Sequence, residues 1–310
     1  MSLKETIAII GSGLMGHGIA QIFAVHGHDV TVIDPNEASL ANVHERISNN
    51  LTIMQAHGVE LQEPIETSVA RVALSTAMAD AKNANFVIEA VFEDMALKQQ
   101  VFADLDAICP PETILCSNTS VMSITEIASK SQRRERIVGT HFWNPPYLMP
   151  LVEVVKARDS EETAVSSTYA LLKRVGKHPV KVNKDVPGFV ANRLQHALWR
   201  EAFAIIDEGI ADAATVDECV RYGPGLRWPI LGPVENADMV GLDLTKAIHD
   251  YILPHINAAP TPSSTLLDNV ADGNLGFKSG KGMLGNWSEE AKAESRQRLA
   301  TYLLKQNIGG

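Results

Sequence analysis

The sequence predicts an α/β fold: a doubly wound, mostly parallel sheet followed by an all-helical C-terminal domain. Three observations predict it. Short apolar runs alternate with helical patterns through the first half of the 310 residues, which implies parallel strands covered by helices on both faces. A glycine-rich turn stands directly between the first apolar run and the first helical pattern. After Asp185-Val186-Pro187-Gly188 the period changes to that of helices, and strand signal nearly vanishes.

The strands are expected at 6–10, 30–33, 86–89, 113–116 and 137–140, with 180–182 as the last. Helices are expected at 14–25 and 95–107 between them. Pro187 can open a helix, because the N–H it lacks would be unpaired there anyway. Beyond it Ala191, Leu194, Leu198, Ala202 and Ile205 recur at helical spacing. The expected domains are 1–185, carrying the glycine turn, and 186–310, helical. A helical domain this apolar is expected to bury its surplus face in a homodimer. The stretch 258–264 reads as a local loop.

Composition narrows the function. With 45% hydrophobic and 21% charged residues the chain reads as an ordinary globular protein. A formal net charge of −10 repels phosphate backbones, so no nucleic-acid partner is expected. Cys109, Cys116 and Cys219 match no zinc spacing and suggest no disulfide framework, so no metal is expected and a reducing compartment is. The chain enters an apolar strand without the flanks of a signal peptide, and no run is long enough to span a bilayer. The expectation is cytoplasmic, with no membrane partner.

The glycine turn is Gly11-Ser12-Gly13-Leu14-Met15-Gly16, a G-x-G-x-x-G between strand and helix. Gly11 allows the tight turn, Gly13 lets backbone approach a pyrophosphate, and Gly16 lets the helix pack on the strand. The helix N-terminus then faces the anion. This is the fingerprint of a Rossmann-type dinucleotide domain. Asp34 ends the second strand, where a carboxylate accepts the ribose hydroxyls and repels a 2′-phosphate. No arginine follows it in Pro35-Asn36-Glu37, so NAD is expected over NADP. FAD shares the fingerprint, but no further flavin signature accompanies it.

His141 follows the apolar run 137–140, and ligands of open α/β sheets bind beyond the carboxyl ends of strands. A lone histidine is usually a packed or solvated residue. Glu153, in Leu151-Val152-Glu153-Val154-Val155, adds weight. A carboxylate in an apolar strand needs a partner to offset desolvation, and an imidazole is a suitable one. Asn144 lies close to His141 in sequence, and Ser120 follows another strand end.

At this point the chain resembles the L-3-hydroxyacyl-CoA dehydrogenase family. The matching segments are the fingerprint with Asp34, Ile88-Glu89-Ala90-Val91 leading to Glu93 and Lys98, Ser117-Asn118-Thr119-Ser120, and His141 to Pro145 with Leu151-Val152-Glu153-Val154. Pro187-Gly188-Phe189 with Asn192-Arg193 and Lys278-Ser279-Gly280-Lys281-Gly282 complete the match, in order, over nearly the whole chain. The resemblance implies an NAD-dependent oxidation of a secondary hydroxyl to a ketone. It makes His141 the base, Glu153 its acidic partner, Ser120 and Asn192 the holders of the substrate oxygen, and Asn144 a supporting polar group. It also makes Glu93, Lys98, Lys278 and Ser120 cofactor contacts. Plain surface lysines at 98 and 278, and a helix-capping role for Ser120, are the bland alternatives.

The chain departs from the acyl-CoA enzymes in two places. Those enzymes carry a lysine-rich segment after the second strand that meets the CoA nucleotide, whereas residues 36–80 here hold no lysine. Pro150 stands where they usually have one. The chain thus resembles the branch that includes L-gulonate dehydrogenase (lambda-crystallin), carnitine dehydrogenase and a pyridine-carboxylate dehydrogenase, which act on small free acids. Arg227, in Gly223-Pro224-Gly225-Leu226-Arg227-Trp228-Pro229, is the expected carboxylate ligand, since a guanidinium grips a carboxylate through two parallel bonds. An acyl-CoA substrate is the alternative, and a structural arginine the bland reading of Arg227. Three rivals fare worse. A Ser120/His141/Glu153 hydrolase lacks the G-x-S-x-G elbow. The β-hydroxyacid dehydrogenases need a lysine where this chain reads Asn192-Arg193-Leu194-Gln195-His196. A non-catalytic dinucleotide-binding protein would have no need of Ser120, His141, Glu153 and Asn192.

Overall fold

The computed structural model describes residues 4–307. Strand β1 (Thr6–Ile10) leads into helix α1 (Leu14–Val25), then β2 (Asp29–Ile33), the short α2 (Glu37–Leu40), α3 (Val43–Ala56), α4 (Ile65–Ala70) and β3 (Val72–Ser75). The second half of the sheet follows as β4 (Phe86–Glu89), α5 (Met95–Ile108), β5 (Ile114–Ser117), α6 (Ile124–Ile127), β6 (Ile137–Phe142), β7 (Leu151–Lys156), α7 (Glu162–Arg174) and β8 (His178–Val182). The eight strands lie in the order β3-β2-β1-β4-β5-β6-β7-β8. Every neighbouring pair is parallel except β6 and β7. The strand order reverses between β1 and β4, where open α/β sheets bind their ligands.

The apolar runs read as strands because both faces of the sheet are covered. Alternate residues of β1 go to opposite layers. Ile7 and Ile9 join Phe23 of α1, Ile47 and Leu51 of α3 and Leu171 and Leu172 of α7. Ala8 and Ile10 join Phe102 and Leu105 of α5 and Ile127 of α6. Each such side chain contributes roughly 1.5–3 kcal/mol on burial. The sheet has two strands beyond the six expected: β7, the apolar run around Glu153, and β3, an edge strand too short and too mixed in composition to stand out.

The remaining helices are α8 (Ala191–Asp207), α9 (Ala213–Tyr222), α10 (Pro233–Val240), α11 (Leu242–Ile252), α12 (Ser264–Ala271) and α13 (Glu289–Asn307). A two-residue ladder of β9 (Lys281–Gly282) and β10 (Gly285–Asn286) is the exception to this helical region. The chain divides into two compact units, Met1–Asn192 with Arg298–Gly310, and Arg193–Gln297. The division falls inside α8, beyond residue 185, because the first residues of that helix are bonded into the first unit. Val190 and Ala191 donate to Glu153, and Asn192 donates to Ser120. Pro187 opens a turn rather than the helix. Gly188 (φ 75°) and Phe189 (φ 49°) are left-handed, so right-handed helix starts only at Ala191. No described helix is long and apolar enough to cross a membrane.

Candidate active site

The glycine turn is shaped for a dinucleotide. Gly11 has φ 102°, and a Cβ there would stand 2.7 Å from Ala90 O. A Cβ on Gly16 would stand 1.8 Å from Gly11 O, so only glycine lets α1 come this close. A Cβ on Gly13 would meet nothing within 4 Å: it points into the open space where the anion is expected. Gly13 also leaves the N-terminus of α1 without a side-chain cap, so its first N–H groups remain available. Within the motif Ser12 is buried, Met15 half-buried and Leu14 exposed.

Asp34 follows β2 and faces this turn. Its Oδ2 accepts from Ser12 N at 2.9 Å and Ser12 Oγ at 2.7 Å, and its Oδ1 accepts from Asn36 N at 3.0 Å. Burial alone would raise this carboxyl, but these bonds outweigh it and hold it below the usual value. Asp34 is therefore an anion at the ribose corner. The turn and the carboxylate fit an NAD adenosine half.

A second carboxylate stands at the switch point. Glu93 accepts from Thr119 Oγ1 at 2.9 Å and from Ser120 N at 2.8 Å, tying the loop after β4 to the loop after β5. Lys98 lies 3.6 Å from Glu93 but bonds at 2.7 Å to Glu89, which also takes Ser117 Oγ and Val91 N. Lys98 and Glu89 are both wholly buried. Lys98 is thus not a surface lysine: its ammonium is the buried counter-ion of two carboxylates. Glu89 escaped the sequence reading, although a carboxylate in the apolar strand Phe86–Glu89 carries the same signal that singled out Glu153.

The antiparallel pair β6/β7 places His141 directly opposite Glu153. His141 Nδ1 lies 2.8 Å from Glu153 Oε2, and both residues are buried. Glu153 Oε1 accepts from Val190 N at 2.9 Å and Ala191 N at 3.0 Å, so the carboxylate also takes the orphan donors at the start of α8. Burial pushes its pKa up, yet these bonds and the one from His141 prevail and hold it below the ordinary range. An ionised carboxylate at Nδ1 calls for Nδ1–H there, which in a neutral imidazole leaves Nε2 as the acceptor nitrogen. Trp143 and Phe189 flank the imidazole at ring distances of 5.4 and 5.8 Å. The left-handed Phe189 sets that packing and the two N–H groups after it.

Asn192 Nδ2 donates to Ser120 O at 2.9 Å. Hydrogen bonds thus run from Glu93 to Ser120 and on to Asn192, whose neighbours Val190 and Ala191 bond Glu153 and through it His141. The cap of α6 is Ser123, whose Oγ accepts from Glu126 N, so Ser120 is not needed for capping. Asn144 is exposed after β6, and its side chain makes no hydrogen bond among the described residues. The loop it begins is pinned from below. Lys177 Nζ, buried, donates to Pro146 O at 2.6 Å and Met149 O at 3.0 Å, and burial brings its pKa down to about 8. Arg227 and Lys278 are exposed on the second unit.

Comparison with known proteins gives the same picture. Residues 6–186 match the NAD-binding domain of 3-hydroxyacyl-CoA dehydrogenases, and residues 188–285 match their C-terminal domain. A 5-formyl-3-hydroxy-2-methylpyridine 4-carboxylate 5-dehydrogenase from Mesorhizobium japonicum is 33% identical over 305 residues, covering 98% of each chain. A crystal structure of an enzyme of that activity, described as NAD+-dependent, is 31% identical with a TM-score of 0.91, again over 98% of each chain. The crystal structure of an (S)-3-hydroxybutyryl-CoA dehydrogenase from Ralstonia eutropha is 35% identical with a TM-score of 0.77, covering 92% of this chain and 100% of that one. The cofactor of this site is NAD.

Proposed function

Because the chain belongs to the 3-hydroxyacyl-CoA dehydrogenase family and uses NAD, we propose that it oxidises a secondary hydroxyl of a small free hydroxy acid to a ketone, with His141 as the base. The observation that carries this reading is the buried hydrogen bond between His141 Nδ1 and the Glu153 carboxylate. NAD+, when bound, supplies the hydride acceptor. His141 Nε2 takes the hydroxyl proton, and Glu153 stabilises the imidazolium that results. Ser120 and Asn192 hold the substrate oxygen as it gains carbonyl character. Glu93 orients the cofactor, with Lys98 acting through it, and Lys278 is the contact assigned on the second unit.

Three observations support a free acid over a CoA thioester. The segment 36–80 offers no lysine to a nucleotide. Of its two arginines, Arg71 is paired with Glu63, and Arg46 lies at the dinucleotide turn. The pyridine-carboxylate enzyme matches this chain with the higher TM-score and coverage, although the CoA enzyme is slightly more identical. Arg227, which has no ion pair among the described residues, is assigned to the substrate carboxylate.

Nicotinamide absorbance during a screen of 3-hydroxybutyrate, L-gulonate, carnitine and 3-hydroxybutyryl-CoA tests the reading. Turnover of at least one free acid is expected. A strong preference for the thioester would return the enzyme to the acyl-CoA branch, and no turnover of anything would favour a non-catalytic protein. Arg227→Met should raise KM for the free acid about ten- to a hundredfold with Tm little changed, as expected for a lost charge-assisted pair.

The second unit supports a homodimer. Ile230, Tyr251 and Leu242 are 82, 79 and 64% exposed, an apolar display larger than an isolated domain usually leaves in water. Sedimentation velocity should find a dimer, and Leu242→Asp should shift it toward monomer.

A further inference from the structure

The Ser12 peptide is where two opposite charges meet the fingerprint. Asp34 takes its N–H and its hydroxyl, while Arg46 Nη2 donates to its carbonyl oxygen at 2.5 Å. Arg46 comes from α3, well past the stretch in which a phosphate-binding arginine is usually sought. Arg136 is held in the same way, by one bond to Glu112 O with its Nε buried and unpartnered, so what sets Arg46 apart is its place at the fingerprint. Arg71 is paired with Glu63, Arg133 with Asp106, and Lys98 with Glu89. Arg46 is half-buried, and among the described residues no carboxylate lies within ion-pair distance of it. Its Nε is buried with no hydrogen-bond partner at all. A partly desolvated cation held only by a peptide oxygen is under-compensated, and an anion is what it lacks.

We propose that Arg46 is a cofactor-binding residue, the counter-ion to a phosphate of the dinucleotide at the Ser12 turn, and that with Asp34 it sets the choice between NAD and NADP. This rests on the NAD site of the family and adds a residue to it. The turn alone offers N–H groups and the partial charge of one helix end, whereas a guanidinium adds a full unit charge. With Asp34 in place a 2′-phosphate meets a carboxylate, so Arg46 serves the diphosphate. With the Asp34 charge removed, the same guanidinium also offsets the added charge of a 2′-phosphate.

Calorimetric titration of the purified protein with NAD+, ADP-ribose and NADP+ tests this without turnover. Arg46→Gln keeps a donor but no charge, and Arg46→Lys keeps the charge. The Gln variant should bind NAD+ and ADP-ribose about tenfold more weakly at low salt, the loss of one exposed-side charge-assisted bond. The deficit should shrink in high salt, and the Lys variant should recover most of it. Asp34→Ala should gain NADP+ affinity, and adding Arg46→Gln should remove that gain. Unchanged NAD+ and ADP-ribose affinity in Arg46→Gln would overturn the proposal. So would equal losses in the Gln and Lys variants with a lowered Tm, which would make Arg46 a brace for the turn. A gain of NADP+ affinity that survives the second substitution would overturn its role in selection. A wild-type protein that binds no NAD+ would instead refute the cofactor assignment itself.

Discussion

Where β1 and β2 end, the protein presents mostly backbone: a turn of three glycines, an uncapped helix end and one hydrogen-bonded carboxylate at Asp34. Where β6 and β7 end, it presents two ionisable side chains locked to each other, His141 and Glu153. The first arrangement suits a ligand that must be gripped along its length and released unchanged. The second suits a proton that must move between defined atoms. The difference teaches that affinity and turnover should be separable by substitution, because the two regions present different groups and are joined through hydrogen bonds such as those of Glu93, Ser120 and Asn192.

The largest expected effect lies at the side-chain end. His141→Ala should lower kcat by about 10² to 10⁴, the usual contribution of a general base, while NAD+ affinity in direct titration stays nearly unchanged. Full activity in this variant would assign the base elsewhere and erase the contrast between the two ends. Glu153→Gln should fall almost as far for a different reason. The amide oxygen can still accept from Val190 and Ala191, but the amide NH2 then faces His141 Nδ1. That drives the imidazole proton onto Nε2 and removes the base, a tautomer effect of the kind seen in serine-protease triads. Wild-type turnover in Glu153→Gln would show that the carboxylate only braces α8.

Next in size is the buried pair at the bridge. Lys98→Met leaves Glu89 without its counter-ion, a change that costs about 3–5 kcal/mol when a buried pair is broken. Calorimetric melting should show a Tm drop of roughly 10 °C at this protein size. The double variant Glu89→Gln/Lys98→Met should recover part of it. A single variant as stable as wild type would mean that the two ends are joined by something other than this pair.

The smallest effects concern pH. The Glu153 carboxyl is held below its unfolded value. Its contribution to stability is therefore present above the ordinary carboxylate pKa, about 4.3, and is lost only as pH falls through the lower folded value. Acid melts of wild type and Glu153→Gln should diverge least at the lowest pH. Lys177 has the opposite charge, but its pKa is shifted in the same direction, so its contribution too rises with pH. Its folded pKa of about 8 lies below the free-lysine value, so the fold favours the neutral amine. Its contribution should rise with pH from about 8 to about 10.4. Lys177→Met should flatten that rise in alkaline melts, and an unchanged profile would place the titration in another group.

The sequence by itself determined the alternation of strand and helix, the dinucleotide turn with Asp34, and the identity of His141 and Glu153 as a candidate pair. Each of these is local: a period of two or 3.6, a glycine at a fixed offset, or a charge in an apolar run. Only the tertiary structure decided what those residues touch. Antiparallel β7 puts Glu153 across from His141, a register that no spacing between residues 141 and 153 announces. The start of α8 moved from Pro187 to Ala191 because two left-handed residues aim its first N–H groups at Glu153. Lys98, readable as a surface lysine, is buried because β4 and α5 close over its ammonium with Glu89. Arg46 reaches the fingerprint from another helix, out of sight of any motif. The physical reason is common to all four. Local patterns report which face of an element is apolar, while hydrogen-bond partners are chosen by elements distant in sequence, packed at angles and registers that the whole core sets.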